Sequence, residues 1–172
     1  EFLSLFIKKT EDLRMGDPLD EATQMGPMAR LDLRQALHEQ VTDSIAQGAH
    51  AVLGCVPISG EGAFYPPSIL EGVTAKTRAY HEELFGPVAA VIRAADEDEA
   101  VHIANDTRFG LGSSVWSRDT EYAEKIARQI QAGCTFINGM VRSDPRLPFG
   151  GTKASGFGRE LSYHGIREFA NI

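Results

Sequence analysis

Val88-Ala89-Ala90-Val91-Ile92 is an uninterrupted apolar run, and Asp96 and Glu99 follow it closely along the chain. An apolar run of this length predicts a strand that is buried on both faces. Asp96 with Glu99 three residues later has the spacing of a helix N-terminus, where an acidic cap and a Glu satisfy each other's backbone N–H groups. A buried strand joined to a helix by a short turn predicts an α/β fold.

The rest of the chain repeats this alternation of strand and helix. Residues 30–47 carry apolar side chains at intervals of four, which predicts an amphipathic helix. Alternating strands and helices predict a mostly parallel sheet that is covered on both faces, in a single domain over 1–172. The other predicted helices cover 2–14, 122–130 and 159–169, and the other predicted strands cover 49–55, 64–70, 113–117 and 134–137.

Composition excludes several classes of protein. The chain has 172 residues, 42% of them hydrophobic, and a net charge of −7. This charge argues against nucleic-acid binding, which needs clustered Lys and Arg, and no apolar run is long enough to span a membrane. The two cysteines favour a cytoplasmic protein with reduced thiols. Because the chain begins without Met, inside an apolar-periodic segment and without a secretory signal, we expect a fragment.

Glu82-Glu83-Leu84-Phe85-Gly86-Pro87 leads directly into the first strand described above. A carboxylate at the end of a strand can accept both hydroxyls of a ribose. An aromatic ring two residues later points to the same side and can pack against a nicotinamide ring. The alternative is a solvated acidic turn with Phe85 in the core.

A second segment, Pro148 to Glu160, contains four glycines that allow tight turns and close backbone approach. It is not a dinucleotide-binding fingerprint, because the order of glycines is wrong and no strand directly precedes it. It is not a phosphate-binding loop, because Thr152 separates Gly151 from Lys153. The alternative is a loop with a structural role, and Arg159 and Glu160 are expected to anchor it through ion pairs.

Between these segments, residues 138–146 combine a strand-end Asn with a polar loop. Arg142, Ser143 and Arg146 offer a bidentate cation and a hydroxyl donor, which suit a carboxylate. The alternative is an exposed loop with ordinary surface arginines.

Together, Glu82–Pro87 and Pro148–Glu160 resemble the C-terminal half of the aldehyde dehydrogenase superfamily. Residues 15–18, 26–30 and 157–162 are similar to the bacterial succinate-semialdehyde branch of that family. The resemblance implies a three-layer, doubly wound α/β catalytic domain that is truncated. It also implies oxidation of an aldehyde to a carboxylate with NAD or NADP through a cysteine thioester.

The family's residue roles map onto four positions. The resemblance implies that Glu83 binds the nicotinamide ribose and that Phe85 lies beside it. It implies that Phe149 forms a wall of the substrate tunnel and that Ser143 contacts the distal carboxylate of the substrate. It also implies a homo-oligomer that acts on a small aldehyde.

No residue is expected to be catalytic. Cys134 begins an apolar strand and Cys55 ends another, and neither has the Gly-Gln-x-Cys context of the family's nucleophile. The resemblance places the nucleophile and the general-base Glu upstream, so the isolated chain is expected to be inactive. No metal site is expected, because the five histidines do not pair at ligand spacing with another His or Cys: His38, His50, His81, His102 and His164.

Two other functions remain open. The chain could be a non-enzymatic interaction or assembly module, since a truncated domain exposes apolar surface. It could also be a cysteine hydrolase that uses Cys134 with a histidine. The choice between NAD and NADP is not readable from these residues.

Overall fold

A computed structural model describes residues 1–60 and 62–171. They form two compact units, Glu1–Arg93 (unit 1) and Ala94–Ile172 (unit 2). Two compact units can both belong to one domain, so the single domain over 1–172 stays a prediction. No helix in the described part of the chain is long and apolar enough to cross a membrane.

Unit 1 is built on a three-stranded sheet in the order β1-β2-β3. β1 and β2 pair antiparallel, and β2 and β3 pair parallel with Ser68 opposite Val88. The elements of unit 1 are α1 (Phe2–Glu11), α2 (Leu31–Ala46), β1 (His50–Leu53), β2 (Ser68–Glu71), α3 (Arg78–His81) and β3 (Val88–Val91).

The core of unit 1 lies where α2 covers the sheet. Leu37 and Val41, one turn apart on α2, are buried with Leu70 of β2 and Val88 of β3. Tyr65, just before β2, is also buried, and its hydroxyl lies 3.2 Å from Nδ1 of His38. The middle of the predicted apolar stripe therefore contacts the core, whereas Ile45 at its end is exposed.

Unit 2 contains a two-stranded parallel sheet, β4-β5, with Gly112 opposite Cys134. Its first helix begins as predicted, because the Asp96 carboxylate accepts a hydrogen bond from the Glu99 backbone N–H at 2.9 Å. The elements of unit 2 are α4 (Glu97–Asn105), β4 (Gly112–Val115), α5 (Thr120–Ala127), β5 (Cys134–Ile137), a 3-10 turn (Lys153–Ser155) and α6 (Ser162–Arg167).

Several elements differ in their bounds from the sequence-based prediction; for example, α1 ends at Glu11 rather than 14 and α5 at Ala127 rather than 130. The final helix begins at Ser162 rather than 159, because Leu161 and Ser162 have positive φ angles and Glu160 pairs with Phe149. The strand predicted over 64–70 is shorter, and its two prolines lie outside β2. The four-residue α3 was not predicted.

Candidate functional site

Glu83 and Phe85 line one cavity of about 390 Å³ in unit 1. The Phe85 side chain is 71% exposed, so the alternative in which it packs in the core is wrong. The remaining lining residues are mostly apolar: Met28, Ala29, Leu33, Leu84 and Gly86. The structure thus brings a carboxylate and an exposed aromatic ring together at one concave surface, as the motif predicts.

The two adjacent carboxylates have different surroundings. Nε of Arg78 lies 2.8 Å from each carboxylate oxygen of Glu82, and Nε2 of Gln40 donates to one of them at 2.9 Å. The Glu83 side chain is exposed, and its carboxylate forms no hydrogen bond or ion pair with any described residue. Glu82 is therefore engaged within the protein, whereas Glu83 can accept hydrogen bonds from a ligand.

The backbone of this segment lies close against α2. A Cβ atom added to Gly86 would lie 2.5 Å from Cδ2 of Leu37 and 3.1 Å from Cε of Met28. Ser68 in β2 donates its N–H to the Pro87 carbonyl at 2.8 Å. A residue without a side chain at position 86 lets the turn approach the helix before the chain enters β3.

The Pro148–Glu160 segment is held both by backbone–backbone hydrogen bonds and by side chains that bond to backbone groups, including Lys153, Ser155 and Arg159. Phe149 and Glu160 exchange two backbone hydrogen bonds, of 2.9 and 2.8 Å. Arg159 donates from Nη1 to the Gly151 and Gly158 carbonyls. The expected ion pairs of Arg159 and Glu160 are wrong for the described residues, because the guanidinium anchors the loop through carbonyl oxygens instead.

Phe149 lines a second cavity, of about 320 Å³, that lies wholly in unit 2. Arg142 also lines this cavity, whereas Ser143 is exposed and is not among its described lining residues. The other lining residues come from β5 and the following loop: Cys134, Thr135, Phe136, Ile137, Asp144, Leu147 and Pro148.

The two arginines of the expected anion site differ in availability. Arg146 forms a two-point ion pair with Asp144, and this pair holds the pKa of the Asp144 carboxyl well below its usual range. Arg142 forms no hydrogen bond or ion pair with the described residues. Of the two guanidinium groups, only that of Arg142 is not hydrogen-bonded to a carboxylate, although its charge also helps to lower the pKa of Asp144.

Neither cysteine has the surroundings of an activated thiol. Cys55 is 3% exposed, and burial raises the pKa of its thiol despite hydrogen bonding. Burial also raises the pKa of Cys134, against a smaller opposing effect of the Arg159 charge. A nucleophilic cysteine needs the opposite shift. These directions argue against a cysteine hydrolase based on Cys134.

Metal binding finds no support in the described residues. Within residues 1–60 and 62–171, no three His, Cys, Asp or Glu side chains cluster in a way that could hold an ion. His38 instead lies beside the Tyr65 hydroxyl, and His81 contacts the Ala75 carbonyl at 2.8 Å.

The sequence analysis missed the contribution of α3 and of the polar face of α2. Gln40 and Asp43, three residues apart on α2, bond to the Glu82 carboxylate and to Arg78 respectively. The signal in the sequence is a set of polar residues at helical spacing, beside the apolar stripe on which the helix prediction rests. The four predicted site residues fall in both units, with Glu83 and Phe85 in unit 1 and Ser143 and Phe149 in unit 2.

The chain resembles known proteins along its whole described length. It is 47% identical over 171 residues to the NAD(P)+ succinate semialdehyde dehydrogenase Sad of Escherichia coli (strain K12). It is 49% identical over 171 residues to succinate-semialdehyde dehydrogenase [NADP(+)] 1 of Mycobacterium ulcerans (strain Agy99). Each alignment covers 99% of this chain and 37% of the relative, so the chain spans little more than a third of these relatives.

A solved structure gives the same result in three dimensions. The succinic semialdehyde dehydrogenase from Streptococcus pyogenes, in complex with NADP+ as the cofactor, superposes with a TM-score of 0.96 at 37% identity. The superposition covers 99% of this chain and 37% of that one, and it confirms the predicted α/β fold class. The Aldehyde dehydrogenase family model matches residues 1–172. The match to this model and the identity to two curated members together show that the chain belongs to the aldehyde dehydrogenase family.

Proposed function

We propose that this chain is part of an enzyme that oxidises an aldehyde to the carboxylate with NAD(P)+, and that it corresponds to the C-terminal part of the catalytic domain. The names of the relatives support the reaction, since one is an NAD(P)+ enzyme and another was solved with NADP+. The 37% coverage supports assignment as a part of a longer enzyme. Succinate semialdehyde is the proposed substrate.

The proposed dinucleotide contact rests on Glu83 in unit 1. Its carboxylate is exposed, unpaired among the described residues and next to an exposed aromatic ring in the same cavity. Two carboxylate oxygens can accept hydrogen bonds from the two hydroxyls of a ribose, and the Phe85 ring offers a flat apolar face to the nicotinamide. This pairing is the observation that carries the proposal. When bound, the dinucleotide supplies the hydride acceptor.

The proposed substrate contacts rest on residues of unit 2. Phe149 supplies an apolar wall, which suits the carbon chain of a small aldehyde. We assign Ser143 to the distal carboxylate of that substrate, as a hydroxyl donor. Its exposure leaves the hydroxyl available. The neighbouring Arg142 supports this role because its guanidinium lines the same cavity as Phe149 and is not hydrogen-bonded to a carboxylate.

We place the nucleophile and the general base outside these 172 residues. The raised thiol pKa values of Cys55 and Cys134 support this, because a thiolate is needed to attack an aldehyde carbonyl. The isolated chain should therefore show no aldehyde oxidation. Assembly as a homo-oligomer and a cytoplasmic location also remain proposals.

Substituting Glu83→Gln in the intact protein, meaning the polypeptide in which this chain occurs, tests the dinucleotide site. Loss of the charged acceptor should raise the Kd for the reduced dinucleotide about tenfold, since hydrogen bonds to charged groups contribute about 1.5–3 kcal/mol. Fluorescence titration of the reduced nicotinamide measures this Kd. Glu21→Gln, at an exposed position in the same unit, is the matched control. An unchanged Kd in Glu83→Gln would contradict the proposal.

A second candidate function is a non-enzymatic interaction module. Several large apolar side chains are exposed in the described residues, including Phe2, Trp116, Phe157 and Phe169. Such side chains are typical of surfaces that contact another protein segment. Dinucleotide binding that depends on Glu83 in the intact protein would exclude a purely structural role.

A further inference from the structure

We propose that Gln40 is a positioning residue for Glu83, and that it acts from a polar stripe on α2 made of Gln40, Asp43, Ser44 and Gln47. The inference rests on the proposed role of Glu83 in binding the dinucleotide. It assigns to α2 a function beyond covering the sheet, namely to hold the turn that presents the Glu83 carboxylate.

The members of the polar stripe share one side of the helix. Their positions follow the i, i+3, i+4, i+7 pattern that places residues on one helical face. All four form contacts with α3 or with the turn after it, at distances of 2.7 to 3.1 Å. The apolar residues Leu37 and Val41 meanwhile contact the core. The polar contacts therefore adjoin the apolar ones on this helix, and the buried Ser44 lies where they meet.

Gln40 is the member that reaches the functional segment. Its side-chain amide nitrogen lies 2.9 Å from a carboxylate oxygen of Glu82 and 3.1 Å from the Glu83 carbonyl oxygen. An amide nitrogen carries two hydrogens, so both of its donors are engaged. One side chain thus fixes the carboxylate before Glu83 and the backbone of Glu83 itself.

The other three members hold the start of the same segment. Asp43 pairs with the Arg78 guanidinium at 2.8 Å, and Gln47 accepts the Arg78 backbone N–H at 2.7 Å. The buried Ser44 hydroxyl accepts the Ala79 backbone N–H and donates to the Gln40 carbonyl. These three residues contact the first residues of α3. Gln40 is the member of the stripe that contacts Glu82 and Glu83, just after the end of α3.

We expect these contacts to affect the orientation of the Glu83 carboxylate more than the stability of the protein. Arg78, Glu82 and Asp43 are all partly exposed, and exposed ion pairs contribute little to the stability of a protein. A ligand-binding carboxylate, in contrast, binds well only if its direction is set before the ligand arrives. Loss of Gln40 should therefore weaken binding without unfolding the protein.

The test is Gln40→Met in the intact protein, which keeps the length of the side chain and removes both donors. We expect the Kd for the reduced dinucleotide to rise about three- to tenfold, the effect of one or two lost hydrogen bonds. The KM for the dinucleotide should rise with it, with kcat and the KM for the aldehyde nearly unchanged. The Tm should stay within about 2 °C of the unsubstituted protein, as for other surface substitutions.

Gln35→Met is the matched control. Gln35 lies on the same helix and donates to a glutamate, Glu39, at 3.1 Å, but it does not contact the Glu83 segment. Its substitution should leave the Kd unchanged. Gln40→Lys, which restores a donor for both acceptors, should recover most of the affinity, and Gln35→Lys controls for the added charge.

Each outcome separates the two levels of the proposal. If Glu83→Gln weakens dinucleotide binding and Gln40→Met does not, the positioning role is overturned and the proposed function stands. If neither substitution weakens binding, the proposed function fails. If Gln40→Met lowers the Tm strongly, or raises the aldehyde KM as much as the dinucleotide KM, Gln40 is structural and the inference is overturned.

Discussion

The Glu82–Pro87 turn and the Pro148–Glu160 loop carry the two family motifs, but they are held in different ways. In the turn, side chains of α2 and α3 bond to a carboxylate and a carbonyl, as the contacts of Gln40 and Arg78 show. In the loop, Lys153 and Ser155 also bond to backbone groups, but here one stretch of backbone approaches another closely: a Cβ added to Gly133 would lie 1.7 Å from the Gly150 carbonyl oxygen.

This difference determines how each segment should respond to substitution. Side-chain contacts can rearrange when a neighbour changes, so their loss or crowding has a modest effect. Backbone groups that touch cannot move apart without breaking the hydrogen bonds around them. Thr152 and Gly133 both donate to the Gly110 carbonyl, at 2.8 and 3.0 Å, and would be displaced together.

The largest effect is expected from Gly133→Ala. The new methyl group would overlap the Gly150 carbonyl, and the loop would have to separate from the start of β5. We expect a loss of about 3 kcal/mol or more in the free energy of unfolding, at the upper end of the range for overpacking. Urea denaturation followed by circular dichroism measures it in the intact protein.

Gly139→Ala is the control for this substitution. Position 139 lies just after β5, and its nearest heavy atom to an added Cβ is the Ile137 carbonyl oxygen at 3.8 Å, an ordinary contact. The change should alter stability by less than about 0.5 kcal/mol. Similar losses at positions 133 and 139 would show that close backbone approach does not hold the loop.

A smaller effect is expected from Gly86→Ala, in the other motif. Here the added methyl group meets the ends of the Leu37 and Met28 side chains, which can change rotamer. We expect a loss of about 1–2 kcal/mol, typical of moderate crowding in a core. Thermal unfolding of the intact protein would measure it. A loss as large as that of Gly133→Ala would contradict the distinction between the two motifs.

The same distinction explains how much of the fold could be predicted from the sequence. The strand at 88–91 and the acidic cap at Asp96 depend on neighbours in sequence, and both are confirmed. The predicted burial of that strand is wrong in part, because only Val88 is buried and Ala90 is exposed. The four-residue α3 has no periodicity of its own and is held by α2, more than thirty residues earlier. Contacts between distant segments of this kind leave no local signal.

The candidate site shows the same limit. The sequence places two glutamates side by side. Only the structure distinguishes them, because Glu82 bonds to Arg78 and Gln40. The ion pair between Asp144 and Arg146 could have been predicted from the sequence, since the two are only two residues apart. Arg146 was instead predicted to be an anion ligand, together with Arg142.

The smallest expected difference concerns the two cysteines, one in each unit. Both thiols have raised pKa values because burial disfavours the thiolate, so both should react more slowly with iodoacetamide at pH 7 than a small free thiol does. Labelling should speed up as the pH rises, since a raised pKa moves the appearance of thiolate to higher pH. Cys134, which is half-buried, should react a few times faster than Cys55, which lies in the core of unit 1. Mass spectrometry of the chain after timed labelling measures both rates. Rapid labelling of Cys134 at pH 7 would reveal an activated thiol and would argue against placing the nucleophile outside these residues.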